Sequence, residues 1–230
     1  MWNRMRRDLR SVVERDPAAR TELEVALLYP GVHALWAHRA SHWLWGRDAK
    51  FAGRAVSQFA RWATGIEIHP GAEIGEGVFI DHGAAVVIGE TAIVGDDVTI
   101  YHGVTLGGTS LEHVKRHPTI GNRVVLGAGA KLLGNIEVGD DSRVGANAVL
   151  VRSVDANSVV VGVPGQVVKS TAPEPKPTNA EPKDPDPVST SLQSLLTRVA
   201  ELEKQVAGHV QPQELYVNAV GDWQAADFVI

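Results

Sequence analysis

The 230-residue chain has no cysteine. Disulfides, thiolate metal sites and a cysteine nucleophile are therefore excluded. It also lacks any apolar run near the roughly 18 residues that a membrane-spanning helix requires, so no membrane partner is expected. There is no basic excess either: 22 Lys and Arg stand against 27 Asp and Glu, a net charge of −5. Such a balance offers no field to recruit nucleic acid. The arginine-rich start, MWNRMRRDLRSVVERD, is followed by no apolar h-region and does not read as a secretory signal. The expectation is a soluble, cytoplasmic protein of one sizeable domain with accessories, at an ordinary 44% apolar content.

What the chain does have is a repeat. Steps of six from Ile68 land on Ile74, Ile80, Val86, Ala92, Val98 and Val104. A segment near 110–119 breaks the phase, which resumes at Ile120, Leu126, Leu132, Val138, Val144 and Leu150. All thirteen positions are apolar, a run that 44% apolar composition does not produce by accident. Glycine often follows the apolar residue, as at Gly75, Gly121, Gly127, Gly139 and Gly145, where a sharp turn of the backbone favours it. A period of six suits neither a helix nor an ordinary strand. It suits short strands joined by turns, three to a coil, with one small or aliphatic side chain per strand filling a narrow core. The fold class is α+β: a helical N-terminal domain over 1–65, then a parallel β-helix over 66–170.

Within 3–64, apolar residues recur at helical spacing, with Pro30–Gly31 and Gly46 as breaks. His33, His38 and His42 lie on these helices and read as packing or surface histidines. Beyond the coil, 171–190 mixes six prolines with charge and reads as an extended linker. Leu192, Leu195, Val199, Leu202 and Val206 then repeat at 3-4-3-4, marking an amphipathic helix over 191–207. Two heptads leave open whether it pairs as a coiled coil or packs on its own body. Residues 208–230 form a flexible tail.

Chemistry is expected where the repeat is interrupted. Asp81–His82 sits in a repeat turn, and a neutral imidazole is suited to take a hydroxyl proton near pH 7. Glu67, fifteen residues earlier, supplies a carboxylate close to one coil away, fit to steady an imidazolium. The segment GGTSLEHVKRHP inserts ten residues and ends with Arg116–His117–Pro118. A loop leaving a regular coil can overhang a groove, and its guanidinium can grip a carboxylate by two parallel hydrogen bonds.

The motifs IHPGAEIGEGVFIDHGAAVVIGETA, VTLGGT, RHPTIG, GAGAKLLGNIEVG and GVPG resemble those of the serine acetyltransferases. The helical stretch RDPAARTELEVALLYPGVHALWAHRASHWLW resembles the same family, so the likeness covers roughly 15–169. The resemblance implies the left-handed β-helix of hexapeptide acyltransferases, an exception to the usual crossover hand. It implies an acetyl-CoA-dependent enzyme that acetylates the L-serine hydroxyl on the way to cysteine, with acetyl-CoA as co-substrate and no permanently bound cofactor or metal. His82 matches the catalytic base and Glu67 its acidic partner, where the family often has aspartate. Arg116 matches the residue holding the serine carboxylate, with His117 beside it. Asp81 and Asp16, the latter in RDP, match the acids that receive the α-ammonium. Gly107, Gly108, Thr109, Ala128 and Ala146 match positions lining the coenzyme A groove. The insert departs from the commoner glycine-rich version, carrying SLEHVK instead.

The same resemblance implies L-cysteine as feedback inhibitor and a homotrimer or a dimer of trimers. It also implies docking of the C-terminal Asp227, Phe228, Val229 and Ile230 into O-acetylserine sulfhydrylase, a capture that a terminal carboxylate and an apolar side chain suit. His102 is open between a pocket role and an interface. Rival readings are a hexapeptide acyltransferase for homoserine or a sugar, and a zinc lyase on the same coil. For the latter, His82, His102, His113 and His117 offer nitrogens without a clear three-histidine signature.

Overall fold

The computed structural model describes residues 2–170 and 194–202. Four helices come first: α1 (Trp2–Arg15), α2 (Glu22–Leu28), α3 (Pro30–Gly46) and α4 (Lys50–Thr64). Thr21 caps α2 by accepting from the Glu24 amide at 3.1 Å, and Glu22 and Glu24 favour the same positive helix end. Pro30 opens α3, where its missing N–H costs nothing. Gly65, at φ 73°, ends α4 in the left-handed region that turns the chain into the coil.

The coil is a three-sided prism. One face stacks β1 (Glu67–Ile68), β4 (Val87–Ile88), β7 (Thr105–Gly107), β10 (Lys131–Leu133) and β13 (Val149–Leu150) in parallel. The second carries β2 (Glu73–Ile74), β5 (Ile93–Val94), β8 (Thr119–Ile120) and β11 (Glu137–Val138). The third carries β3 (Phe79–Ile80), β6 (Thr99–Ile100), β9 (Val125–Leu126), β12 (Arg143–Val144), β14 (Ser158–Val161) and β15 (Gln166–Ser170), the last antiparallel. These are called faces A, B and C, and the prism edges take the names of the faces they join.

Two rows of side chains fill each side of the interior: one on the strand and one in the turn two residues before it. Val86 and Ile88, Val98 and Ile100, Val104 and Leu106, and Ala130 and Leu132 are such pairs, all essentially buried. Removing one large aliphatic chain of this kind from water stabilises by about 1.5–3 kcal/mol.

The double row explains a departure from the sequence expectation. β1 pairs with β4 across 20 residues (Glu67↔Val87), whereas β4 pairs with β7 across 18 (Val87↔Thr105). The turn between β3 and β4 therefore holds two extra residues, and it is the turn that carries His82. Counting by sixes moved there from the strand row to the turn row, both apolar, so the slip left no trace. The same slip makes the loop before Pro118 too long by two. β5 pairs with β8 across 26 residues, so the loop adds eight to the regular 18 rather than ten.

The helices belong to the same compact unit as the prism. Ala34 and Leu35 of α3 join its apolar core. Arg39 on α3 donates to both carboxylate oxygens of fully buried Asp8 on α1 at 2.8 Å. Arg15 reaches from the end of α1 to the Asp97 carbonyl at 2.9 Å and the Thr99 hydroxyl at 3.0 Å. A further helix, α5, covers 194–202 in a separate unit, with its described residues exposed, Leu195, Val199 and Leu202 among them. The expected linker 171–190, Leu192 and Val206 of the amphipathic stripe, and the tail 208–230 lie outside the described residues.

Candidate active site

The sequence-predicted residues fall into two groups, one at each end of face A. His82 occupies the turn between β3 and β4, so it stands on the C/A edge. Its φ of 57° is a left-handed conformation that histidine tolerates better than most residues. The side chain is 72% exposed, open to a reactant, with Nε2 3.8 Å from Asp81 Oδ2. His102, one coil on, sets its ring edge-on to His82, centroids 5.9 Å apart. Ala128 and Ala146 occupy the turns that continue this edge upward.

Asp16 and Tyr29 stand beside this edge. Asp16 Oδ2 accepts from the Tyr29 hydroxyl at 2.8 Å, and its Oδ1 from the Ala18 amide at 2.8 Å. Burial, then the hydrogen bond and charge of Asp16, then Glu24 and Asp81, push the Tyr29 hydroxyl up to about 12. Tyr29 thus feels both acids expected to receive an ammonium group.

Arg116 and His117 close the loop between β7 and β8, on the A/B edge. Gly107, Gly108 and Thr109 start that loop on the same edge; a Cβ on Gly108 would lie 3.2 Å from Arg116 Cγ and 3.2 Å from His117 Nε2. Arg116 Nη2 donates to Glu90 Oε2 at 2.7 Å, and this bond holds the Glu90 carboxyl below its ordinary range. Lys115 Nζ donates to the Thr91 and His117 carbonyls at 2.7 and 2.5 Å, pinning the loop. His117 is buried, and burial and then Arg116 lower its basicity. His69, edge-on to Trp45 at 5.0 Å, accepts from the Gly71 amide at Nδ1; burial and then Arg54 push it down to about 4.

Within one chain, no hydrogen bond or ion pair links the two edges among the described residues. In a single prism His82 and Arg116 stand at opposite edges of face A, because the turn of one precedes a strand of that face and the loop of the other follows one. Glu67 lies on face A itself; its carboxylate sits 3.3 Å from Arg61 Nε and makes no hydrogen bond to His82. Glu90, Thr91, His69, Lys115 and Tyr29 were not singled out from the sequence. The stacking of 90 and 91 under 116 and 117 follows only from the 26-residue register. No group of three or more His, Asp or Glu among the described residues is placed to hold a metal ion.

Two of the residue sets expected from the sequence are divided between the same two edges. Of those expected around the acceptor, Asp16, Asp81 and His82 stand at C/A, and Arg116 and His117 at A/B. Of those expected around the acyl carrier, Ala128 and Ala146 stand at C/A, and Gly107, Gly108 and Thr109 at A/B. An exposed imidazole, a pair of acids and a guanidinium suit proton abstraction from a zwitterionic alcohol.

Comparison with known proteins gives the same family throughout. Residues 117–152 match the family model described as bacterial transferase hexapeptide (six repeats). The chain is 56% identical over 238 residues to a serine acetyltransferase of Mycobacterium tuberculosis, covering 100% of both. Among solved structures, the serine acetyltransferase of Brucella abortus in complex with coenzyme A is 41% identical, with a TM-score of 0.72 over 74% of this chain and 68% of that one. The Neisseria gonorrhoeae enzyme in complex with serine is 39% identical, with a TM-score of 0.71 over 72% of this chain and 69% of that one.

Proposed function

Because this chain belongs to the serine acetyltransferase family, we propose that it carries the acetyl group of acetyl-CoA to the L-serine hydroxyl in a site shared by two copies of the prism. The observation that carries this reading is that the residues matched to the acceptor site and those matched to the coenzyme groove both fall on edges C/A and A/B. Both edges bound face A. Three prisms that turn face A toward a common axis bring the C/A edge of one copy against the A/B edge of the next. Such a ring uses one heterologous contact repeated until it closes.

In that site Arg116 grips the serine carboxylate, Asp16 and Asp81 receive the ammonium, and the hydroxyl meets His82. His82 takes the hydroxyl proton as the oxygen attacks the thioester carbonyl; the tetrahedral intermediate collapses, and coenzyme A leaves with that proton. Base catalysis contributes about 10²- to 10⁴-fold. Fixing both reactants contributes several kcal/mol more. Besides Asp81, whose Oδ2 lies 3.8 Å from His82 Nε2, Glu67 is a second carboxylate within about a coil that can steady the imidazolium. Its present pairing with Arg61 is half-exposed and weak, so exchange toward a charged ring is inexpensive. Ala128 and Ala146 on one edge, with Gly107, Gly108 and Thr109 on the other, leave room for the pantetheine arm between them.

The resemblance of the sequence also supports L-cysteine as an inhibitor in the serine site, and capture of Asp227, Phe228, Val229 and Ile230 by O-acetylserine sulfhydrylase. No helix among the described residues is long and apolar enough to cross a membrane.

Thiol release from acetyl-CoA, measured with amino acids and sugars in turn, tests the reading. Serine as the preferred acceptor is expected. Preference for homoserine or a sugar would overturn it.

A further inference from the structure

Thr91 is one coil below His117, and its hydroxyl is saturated. Thr91 Oγ1 accepts from the Arg116 amide at 3.0 Å and from the His117 amide at 3.1 Å. Both lone pairs of the oxygen are then occupied. The same oxygen lies 2.9 Å from His117 Nδ1, so its proton must point there. The Thr91 amide, which can only donate, also reaches Nδ1, at 3.2 Å. A proton on Nδ1 would face one N–H and one oxygen with no lone pair left. His117 is therefore held neutral, with its hydrogen on Nε2.

That Nε2–H lies beside Gly89 and Gly108 on the A/B edge and makes no hydrogen bond among the described residues. The Cδ2–Nε2 side of the ring packs against Gly89, where a Cβ would stand 2.0 Å from Cδ2 and 2.1 Å from Nε2. The charged and titratable groups around His117 are Arg116, Glu90 and Lys115, with His69 nearby. None takes the Nε2 hydrogen.

We propose that Thr91 is the positioning residue of the carboxylate-binding end, its single hydroxyl setting the backbone of Arg116 and His117 and fixing His117 as an Nε2–H donor beside the guanidinium. The substrate carboxylate then meets a charged fork and a neutral donor whose two backbone amides are held from below by one side chain. This rests on reading Arg116 as the carboxylate site. Thr91 touches no reactant; it acts through its two neighbours.

Two measurements test it. In wild-type protein with ¹⁵N-labelled histidine, the His117 resonances, assigned by their loss in His117→Asn, should show a bare Nδ1 and a protonated Nε2 at neutral pH. A protonated Nδ1 or a charged ring would overturn the proposal, even if serine acetylation stands. Conversely, a failed serine assay would sink the functional reading while leaving the tautomer in place. In kinetics, Thr91→Val should raise the serine KM about tenfold, the scale of one weakened charge-assisted contact. The acetyl-CoA KM should stay within about twofold, the mark of a loss confined to one substrate. Thr91→Ser, which keeps the hydroxyl, should recover most of the serine affinity. Unchanged serine KM in Thr91→Val, equal loss for both substrates, or no recovery in Thr91→Ser would overturn it. Should Thr91→Val fail to fold, the wild-type tautomer decides alone.

Discussion

Glu90 holds Arg116: the carboxylate one coil below accepts from the guanidinium at 2.7 Å, with the two side chains 33% and 22% exposed. Glu90 holds one end of the guanidinium on the A/B edge; Arg116 Nη1 also donates to the Glu112 carbonyl at 3.5 Å, and the other N–H groups are left for an incoming carboxylate. A planar fork is required for two parallel bonds, and an ammonium group cannot replace it. Arg116→Lys should therefore raise the serine KM by about ten- to a hundredfold, one to two charge-assisted hydrogen bonds. Steady-state kinetics with serine varied at saturating acetyl-CoA provide the check.

The exposed imidazole of His82 is the proposed base. Replacing it with alanine should lower kcat by about 10²- to 10⁴-fold. Calorimetric titration should show acetyl-CoA binding preserved, because no coenzyme contact is assigned to that ring. Near-normal turnover would remove His82 from the chemistry.

Gly89 makes room for the His117 ring. Its alanine variant would place a Cβ 2.0 Å from His117 Cδ2, so ring or backbone must move. Overpacking of this kind costs about 1–3 kcal/mol. Urea unfolding of Gly89→Ala should show that loss, together with a raised serine KM. Gly46→Ala, where nothing lies within 4 Å, is the matched control and should hold or gain stability.

Stability should also fall in mild acid. Burial, then His42 and Arg39, push His38 down to about 3, so the folded protein excludes a proton that the unfolded chain binds near pH 6.5. A depressed histidine pKa means stability is full above the unfolded value and is lost as pH drops from about 6.5 toward the folded value. Its Nδ1 is buried without a hydrogen-bond partner, so charging it in place brings no compensation. Thermal melts at pH 7 and pH 5 should show a larger drop for wild type than for His38→Phe, which cannot titrate. Equal drops would contradict the assignment.

The prism was legible because its strand row is apolar throughout, even though the turn row admits buried Ser142 and Ser158, and the RHP loop because it broke the repeat. The extra pair of residues at the His82 turn was not legible, since Val86 is as apolar as the strand position Ile88 that it displaced in the count. Thr91 and Glu90 were invisible for a related reason. Their partners lie 26 residues away, a distance fixed only once the loop is known to add eight. Glu67 shows another limit: spacing placed it one coil from His82, yet spacing does not reveal that Arg61, six residues earlier on α4, takes the carboxylate. The division of the site between edges C/A and A/B was hidden as well, because a sequence carries no mark of which turns of a prism face the same way.

Mixed assemblies test that division directly. Chains with His82→Ala and chains with Arg116→Ala, each inactive alone, should regain activity when co-assembled, because some interfaces then join an intact C/A edge to an intact A/B edge. Random mixing in equal amounts should restore about a quarter of wild-type turnover, the statistical share of such interfaces in a closed ring. If His82 and Arg116 served one site within a single chain, every mixed assembly would stay inactive, and that result would contradict the account.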